Sequence, residues 1–430
     1  MVKFFGNNSN IFWLIEALFI AILCSTFIYI EWLGFTFPLL NTLLGVMGLW
    51  MLLKSRGKVW SMSGFLIALF WFWWIALSFR YYGFAWAMPL GMITVASIYG
   101  GIFWLFIKIA YYIEKQWKVD TLFLKALFIL LFSSIHPFGF DWLKFELIFI
   151  DSYFGIEKWQ FSMILLAIVC FIKNKCQGYS QKISLILLFL AMDLNISKSS
   201  SIDSGIKLVT TYVNIDDKWK PEFEVQQMTN VYTYIEKAMD QNYSIVVLPE
   251  SVIPKFINKY EDIKDRLKRY SNDITIVIGG LYLDDDGTPR NSTYIFSKDQ
   301  MQIANKVVLV PFGEANPLPE FLSNWVNKIF YHGAVDYKPS REIYDYKINN
   351  TTYRNAICFE ATSEKLYKNP PQYMIAISNN GWFTPSIEPT LQKLLLKYYS
   401  KKYSITIYHS INASESYTIE SGKVLRPYSP

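Results

Sequence analysis

The stretch Asn355-Ala356-Ile357-Cys358-Phe359-Glu360 reads as a short apolar strand that ends on a cysteine and runs at once into acidic and hydroxyl residues suited to opening a helix. A strand that turns directly into a helix is a unit of α/β architecture. Cys358 is the one cysteine in the polar half of the chain, whereas Cys24, Cys170 and Cys176 lie in or beside apolar runs. A thiol at a strand end, facing a helix N-terminus, is placed to ionise and attack a carbonyl. Taken singly, such a cysteine reads first as a small buried hydrophobe. Two further stretches change that balance, and the rest of the chain is organised around all three.

Composition divides the chain. Of its 430 residues 52% are hydrophobic and 18% aromatic, and the mean hydropathy is positive, too apolar for an ordinary soluble enzyme. Residues 1–197 are long apolar runs with short polar breaks, 198–204 form a Ser-rich linker, and 205–430 have the composition of a globular domain. Candidate spans lie near 11–31, 35–53, 60–79, 85–112, 121–137, 160–173 and 182–197, about seven in all. Lys3 before the first run resembles a signal peptide, but no small-residue cleavage site follows, so the run is expected to stay as a helix. With the N-terminus inside, the inner loops hold Lys54, Arg56 and Lys58, then Lys115 and Lys118, then Lys173, Lys175 and Lys182. The outer loops hold Arg80, then a mixed set of Asp141, Lys144, Glu146, Asp151, Glu157 and Lys158. Basic inner loops and an odd number of spans deliver the polar half to the outer face of the membrane. The outer stretch His136-Pro137-Phe138-Gly139-Phe140-Asp141-Trp142 reads first as an interfacial aromatic belt, and second as the lining of a lipid access site.

Several function classes are excluded. The net charge of +6 is modest, and no Lys/Arg block marks a nucleic-acid footprint. Four cysteines without paired spacing give neither a disulfide framework nor a zinc pattern. His136, His332 and His409 are scattered, so neither a histidine metal site nor a Ser-His-Asp triad is expected, and no cofactor is implied.

In the polar half, strands are expected near 206–213, 243–248, 274–282, 291–297, 301–310, 343–348, 352–358, 372–378, 404–410 and 416–421. Helices are expected over 223–239, 259–270 and 389–403, and Asp285-Asp286-Gly287 marks a hairpin turn. This pattern suggests an α/β sandwich whose sheets are covered by helices. The second chemical stretch is Val247-Leu248-Pro249-Glu250-Ser251, where a carboxylate follows a buried strand and desolvation tunes it as a base. The third is Lys306-Val307-Val308-Leu309-Val310-Pro311-Phe312-Gly313-Glu314, with Lys306 just ahead of an apolar strand, a place where lysines usually sit solvated at the rim.

Together the three stretches resemble the nitrilase superfamily, whose Glu, Lys and Cys occur in that order on separate strand ends. They are closer still to its membrane branch, the apolipoprotein N-acyltransferases, in which a multi-span α-helical membrane domain precedes a nitrilase-like αββα sandwich. Leu248 to Ser251, Lys306 to Glu314 and Cys358-Phe359-Glu360 resemble that family's motifs, the last with Phe359 where Tyr is common. Ser378-Asn379-Asn380-Gly381-Trp382-Phe383 resembles its Ser-Asn-Asp-Ala-Trp-Phe stretch, Lys218-Trp219 a tryptophan after its first nitrilase strand, and Phe138 to Trp142 a membrane-domain patch. Asn380-Gly381 departs from the family pattern, the 389–403 helix lacks an expected histidine, and no apolar span follows residue 421.

The resemblance implies transfer of an acyl chain from a phospholipid, through a Cys358 thioester, to the α-amine of a diacylglyceryl-cysteine on a lipoprotein. Glu250 is the implied base, with Lys306 and the N–H of Phe359 on the oxyanion. Glu314 and Glu360 are supporting carboxylates, and Trp219, Trp382 and Asn379 are substrate-binding residues. Phe359 and the Leu322-Trp325-Ile329-Phe330-Tyr331 stripe are candidates for an acyl groove or for core. A monomer in the bacterial inner membrane, with its catalytic domain in the periplasm, is expected. Two alternatives remain: a membrane-tethered amidase acting on a small C–N substrate, and a domain that only binds a partner. The second gives no chemical reason for Cys358.

Overall fold

The structure, a computed structural model, describes residues 11–173, 179–194, 205–315 and 337–425. The 198–204 linker and the 322–331 stripe lie outside the described residues. Two compact units are present: residues 1–137, 141–196 and 385–394 form one, and 138–140, 197–384 and 395–430 the other.

The first unit is helical because its apolar runs have no alternating pattern and few breakers. Its helices are α1 (Phe12–Trp32), α2 (Pro38–Lys54), α3 (Gly57–Phe72), α4 (Met88–Trp117), α5 (Thr121–Leu131), α6 (Lys158–Lys173) and α7 (Tyr179–Leu190). Proline at the start of α2 suits a position that needs no N–H, and the Asp120 carboxylate caps α5 by accepting from Leu122 N at 2.8 Å. Three stretches, Phe12–Trp32, Gly57–Tyr82 and Ala85–Trp117, are long and apolar enough to cross a membrane by length and composition. Their outer faces are apolar: Ile15, Phe19 and Ile22 on α1 and Ile93, Trp104 and Leu105 on α4 are exposed, an arrangement suited to lipid. Inside, Gly64 lets α3 approach α4, since a Cβ there would lie 2.3 Å from the Phe103 ring. The apolar pattern of 182–197 stops being helical at Leu190. Beyond it the backbone pairs with an extended stretch instead, Gly155 N donating to Ala191 O and Asp193 N to Tyr153 O, both at 2.9 Å.

The second unit holds two mixed sheets. The first has strands β1 (Ile206–Leu208), β2 (Ile245–Val247), β3 (Thr275–Leu283), β4 (Pro289–Ser297) and β5 (Gln300–Asn305) in sequential order. Strands β1 to β3 are parallel and β3 to β5 antiparallel. The second sheet runs β11-β10-β9-β8-β7-β6, built from β6 (Asp345–Ile348), β7 (Thr351–Ile357), β8 (Tyr373–Asn379), β9 (Thr406–Asn412), β10 (Tyr417–Glu420) and β11 (Lys423–Leu425). Its central β7, β8 and β9 are parallel.

Side-chain alternation makes the sandwich. Ile245, Val247, Val277 and Ile295 point to the inner core shared with Ile357, Ile375, Ile377 and Tyr408 of the second sheet. Their neighbours Val246, Leu248, Ile276 and Ile278 point outward, under Val231 and Ile235 of α9 (Glu224–Asp240) and Ile263 and Leu267 of α10 (Glu261–Tyr270). Each fully buried Val or Ile on these strands contributes roughly 1.5–3 kcal/mol. Helix α11 (Glu388–Tyr403) is the last α-helix among the described residues, with Tyr399 stacked on Tyr367 at 4.3 Å. One strand expectation fails. The apolar 307–310 run is not part of β5, which ends at Asn305. The N–H groups of Val307 and Val308 are given to the Glu360 carboxylate, and that of Val310 to Glu314, so no ladder continues.

Candidate active site

Three chain segments that leave strand ends build the site. Glu250 follows β2 after Leu248 and Pro249, Lys306 follows β5 directly, and Cys358 follows β7 directly. Each segment bends through a non-glycine residue with positive φ: Ser251 at 47°, Phe312 at 62° and Cys358 itself at 54°. Such conformations cost of order 1–3 kcal/mol each and persist only where the surroundings fix them. At Cys358 the bend turns the chain from β7 into the 3₁₀ turn Cys358–Thr362. The expected helix opening is therefore a tight turn, with the cysteine as its first residue.

The Lys306 ammonium, 1% exposed, stands 2.7 Å from Glu314 Oε2 and 3.7 Å from Glu250 Oε1. Burial works to lower its pKa, but Glu314 and Glu250 outweigh burial and, with Cys358, hold it above its ordinary value. Lys306 is therefore a permanent cation, not the solvated rim lysine its position in the sequence suggests. Asn291, on β4, ties the two carboxylates together. Its Nδ2 donates to Glu250 Oε1 at 2.7 Å and to Glu314 Oε1 at 2.9 Å. Sequence reasoning missed Asn291. The available signal was an amide heading a run of hydroxyls, Asn291-Ser292-Thr293, at the start of an otherwise apolar strand. Gly279 was missed as well. A Cβ there would lie 2.5 Å from Ser251 N and 2.6 Å from Glu250 Cα, so β3 must be bare where the Glu250 loop crosses it.

Glu360 does not touch Lys306 directly, as the supporting role implied. Its Oε2 accepts from Val307 N at 2.7 Å and Val308 N at 3.1 Å, and its Oε1 from Ile357 N at 2.8 Å. It thus fastens the backbone just after Lys306 to the backbone just before Cys358. Burial pushes its pKa up to about 7, against the opposing effects of Lys306 and the three N–H donors.

The remaining candidates are placed as follows. Phe359 is buried and stacks on Phe140 at 5.6 Å, nearly parallel. Trp219 is 46% exposed at the end of the short helix α8 (Ile215–Lys218), and Trp382 is half-buried. The Asn379 amide is already engaged, its Oδ1 accepting from Asn412 Nδ2 at 2.8 Å and Gly381 N at 3.3 Å. His409 lies fully buried between Ser378 Oγ at 2.7 Å and Tyr417 OH at 3.1 Å, and burial pushes it down to about 3, which makes it a neutral core residue rather than a base. Among the described residues no group of three His, Cys, Asp or Glu side chains is arranged to hold a metal.

Residues 11–194 match the family model for the apolipoprotein N-acyltransferase integral membrane domain. Curated relatives named apolipoprotein N-acyltransferase match nearly end to end. That of Wolinella succinogenes is 35% identical over 93% of this chain and 94% of its own. Those of Helicobacter pylori (35% identical, 88% and 87% covered) and Campylobacter jejuni (34%, 98% and 93%) are similar. Among solved structures, a CN-hydrolase superfamily protein from Xanthomonas campestris aligns at 13% identity over 51% of this chain and 83% of that one, with a TM-score of 0.38, a likeness that carries no argument about activity.

Proposed function

The chain belongs to the apolipoprotein N-acyltransferase family, and from that premise we propose how its residues divide the reaction. It is an integral membrane acyltransferase with a nitrilase-like domain, and it acts on lipoproteins and lipid substrates. The finer reading assigns Cys358 as nucleophile, Glu250 as base and Lys306 as the fixed cation. Its support is the placement of the Lys306 ammonium 3.7 Å from Glu250 Oε1, with Cys358 at the end of β7 in the other sheet, near enough to act on the charge of Lys306.

Glu250 takes the Cys358 proton, and the thiolate attacks the ester carbonyl of a phospholipid acyl chain. Lys306 and the Phe359 N–H balance the charge that develops on the carbonyl oxygen. The C–O bond breaks, the proton on Glu250 passes to the departing lysophospholipid, and a thioester remains. The α-amine of a diacylglyceryl-cysteine on a lipoprotein then attacks. Glu250 receives the amine proton, the C–N bond forms, the C–S bond breaks, and Glu250 passes that proton to the departing sulfur to restore the thiol and its own carboxylate. A thioester yields to an amine more readily than an ester does, so one difficult step becomes two easier ones. Glu314 and Asn291 keep Glu250 and Lys306 in register. The basic loops at Lys54, Arg56 and Lys58 and at Lys115 and Lys118 support an inner-membrane placement with the catalytic unit on the periplasmic side.

Intact mass spectrometry tests this reading. After incubation with phospholipid vesicles, the wild type gains one fatty-acyl mass that neutral hydroxylamine removes, and Cys358→Ala gains none. An unmodified wild type, under conditions where lipid reaches the protein, would overturn this reading and move the runner-up, a membrane-tethered amidase, ahead of it.

A further inference from the structure

Nothing in the sequence marks Lys218 as more than the residue before Trp219, in a polar turn where lysines are usually solvated. In the fold it is 3% exposed. It closes helix α8, which Asn214 caps by accepting from Asp216 N at 3.1 Å. Asn412, at the end of β9, fixes the chain leading into α8. Its Oδ1 accepts from Thr211 Oγ1 and Val213 N, and its Nδ2 donates to Val213 O, all at 2.8–2.9 Å. On the other side Gln227 of α9 donates to Lys218 O at 3.1 Å. The backbone of Lys218 is therefore held from two elements, and its side chain is directed inward.

Its ammonium is bonded to a carbonyl, not a carboxylate: Nζ donates to Glu250 O at 3.1 Å. The acidic neighbours on its own helix do not neutralise it. Asp217 pairs with Lys220 at 2.7 Å on the exposed side, and Asp216 is also exposed. The charged groups that face it electrostatically are Glu250 and Cys358, and Lys306 and Glu314 lie beyond Glu250. Burying an ammonium without a carboxylate partner costs stability; Lys125 of the helical unit is held in the same way, by the carbonyls of Leu53 and Ser55, so what sets Lys218 apart is that its carbonyl belongs to Glu250.

We propose that Lys218 is a second fixed cation of the active site, held by the Glu250 carbonyl and positioned to stabilise the Cys358 thiolate. The proposal rests on the reading of Cys358 as nucleophile, and it accounts for the charge of the site. When Cys358 has given its proton to Glu250, two anions remain, the thiolate and Glu314, besides Glu360, which is held by three backbone N–H groups. Lys306 is already 2.7 Å from Glu314. Lys218 supplies the positive charge that Lys306 alone does not. Burial pushes Lys218 down to about 8 against the effects of Glu250 and Cys358, so the ammonium form prevails at neutral pH and is lost above about 8.

The test is the pH dependence of Cys358 alkylation by iodoacetamide in the full-length protein in detergent, read at the Cys358 peptide by mass spectrometry. Lys218→Met removes charge and donor, Lys218→Gln keeps a shorter donor without charge, and Lys218→Arg keeps both. The proposal expects Met and Gln each to raise the midpoint of the profile by about one unit and to slow alkylation at neutral pH about tenfold. It expects Arg to restore the profile to near the wild-type midpoint. Midpoints left in place in Met and Gln overturn it, as does a Gln variant that keeps the wild-type midpoint, which would leave only the hydrogen bond to Glu250. If Lys218→Met fails to fold, the Gln and Arg pair decides by itself. Alkylation needs no lipid, so wild type that alkylates with this profile yet takes no acyl group from phospholipid sinks the acyltransfer mechanism and not the role of Lys218.

Discussion

Both units bury charge, and they do so in opposite ways. In the helical unit, Glu146 is fully buried and meets Lys158 at 2.8 Å. Lys158 also donates to Leu130 O and to the Ser133 hydroxyl, and Lys144 lies 3.9 Å from Asp141. There the buried carboxylates of Glu146 and Asp141 each have a lysine within 4 Å, and the buried Lys125 donates to the carbonyls of Leu53 and Ser55. In the sandwich unit the carboxylates of Glu250 and Glu314 share one ammonium, Lys306, Glu360 is held by backbone N–H groups, and Lys218 is reached only through a carbonyl. A balanced, closed cluster anchors a fold. An unbalanced one, in which two carboxylates share one cation, is suited to moving a proton.

The largest effect that sharpens this contrast is expected at Glu250. Glu250→Gln keeps shape and most hydrogen bonding but accepts no proton. Acyl-enzyme formation on Cys358, followed by single-turnover mass spectrometry, should slow by about 10⁴-fold, roughly 5 kcal/mol of barrier, with the melting temperature retained. A variant that acylates at the wild-type rate would make the sandwich cluster structural as well. Next is Lys158→Met in the helical unit, which removes the 2.8 Å ammonium partner of the buried Glu146 carboxylate. Thermal unfolding in detergent should show a loss of about 3 kcal/mol, at the low end for such pairs because Lys158 is 41% exposed. The alkylation rate of Cys358 should be unchanged, and a shift there would show that the two clusters are coupled.

The smallest effect is expected at Glu360. Glu360→Gln sets an amide N–H₂ against backbone donors and should cost about 2 kcal/mol in chemical denaturation. The pH course adds a second check. Burial raises the folded-state pKa to about 7 from 4.5, so the folded protein holds the proton more tightly than the unfolded chain. The wild type therefore has this contribution in full below about 4.5 and loses it as pH rises through about 7. The Gln variant should lack that slope. An unchanged slope would place the titration elsewhere.

The sequence by itself determined what depends on local pattern. Unbroken apolar runs can bury their backbone polar groups only as helices, so 11–31 or 85–112 needed no partner to be read. Continuous Ile and Val on β2 and β3 marked strands buried on both faces. Glu250 and Cys358 were singled out because each ends an apolar run, Lys306 because it heads one, and the three because they keep a family order. Tertiary structure alone decided the rest. The run 307–310 is as apolar as any strand, but its N–H groups are claimed by Glu360 and Glu314 from other segments, and no local pattern encodes a carboxylate arriving from residue 360. Asn291, Gly279 and Lys218 were silent for the same reason. An amide, a glycine and a lysine take their meaning from what stands opposite them, and a carbonyl 3.1 Å from an ammonium exists only after β1, β2 and β9 have come together.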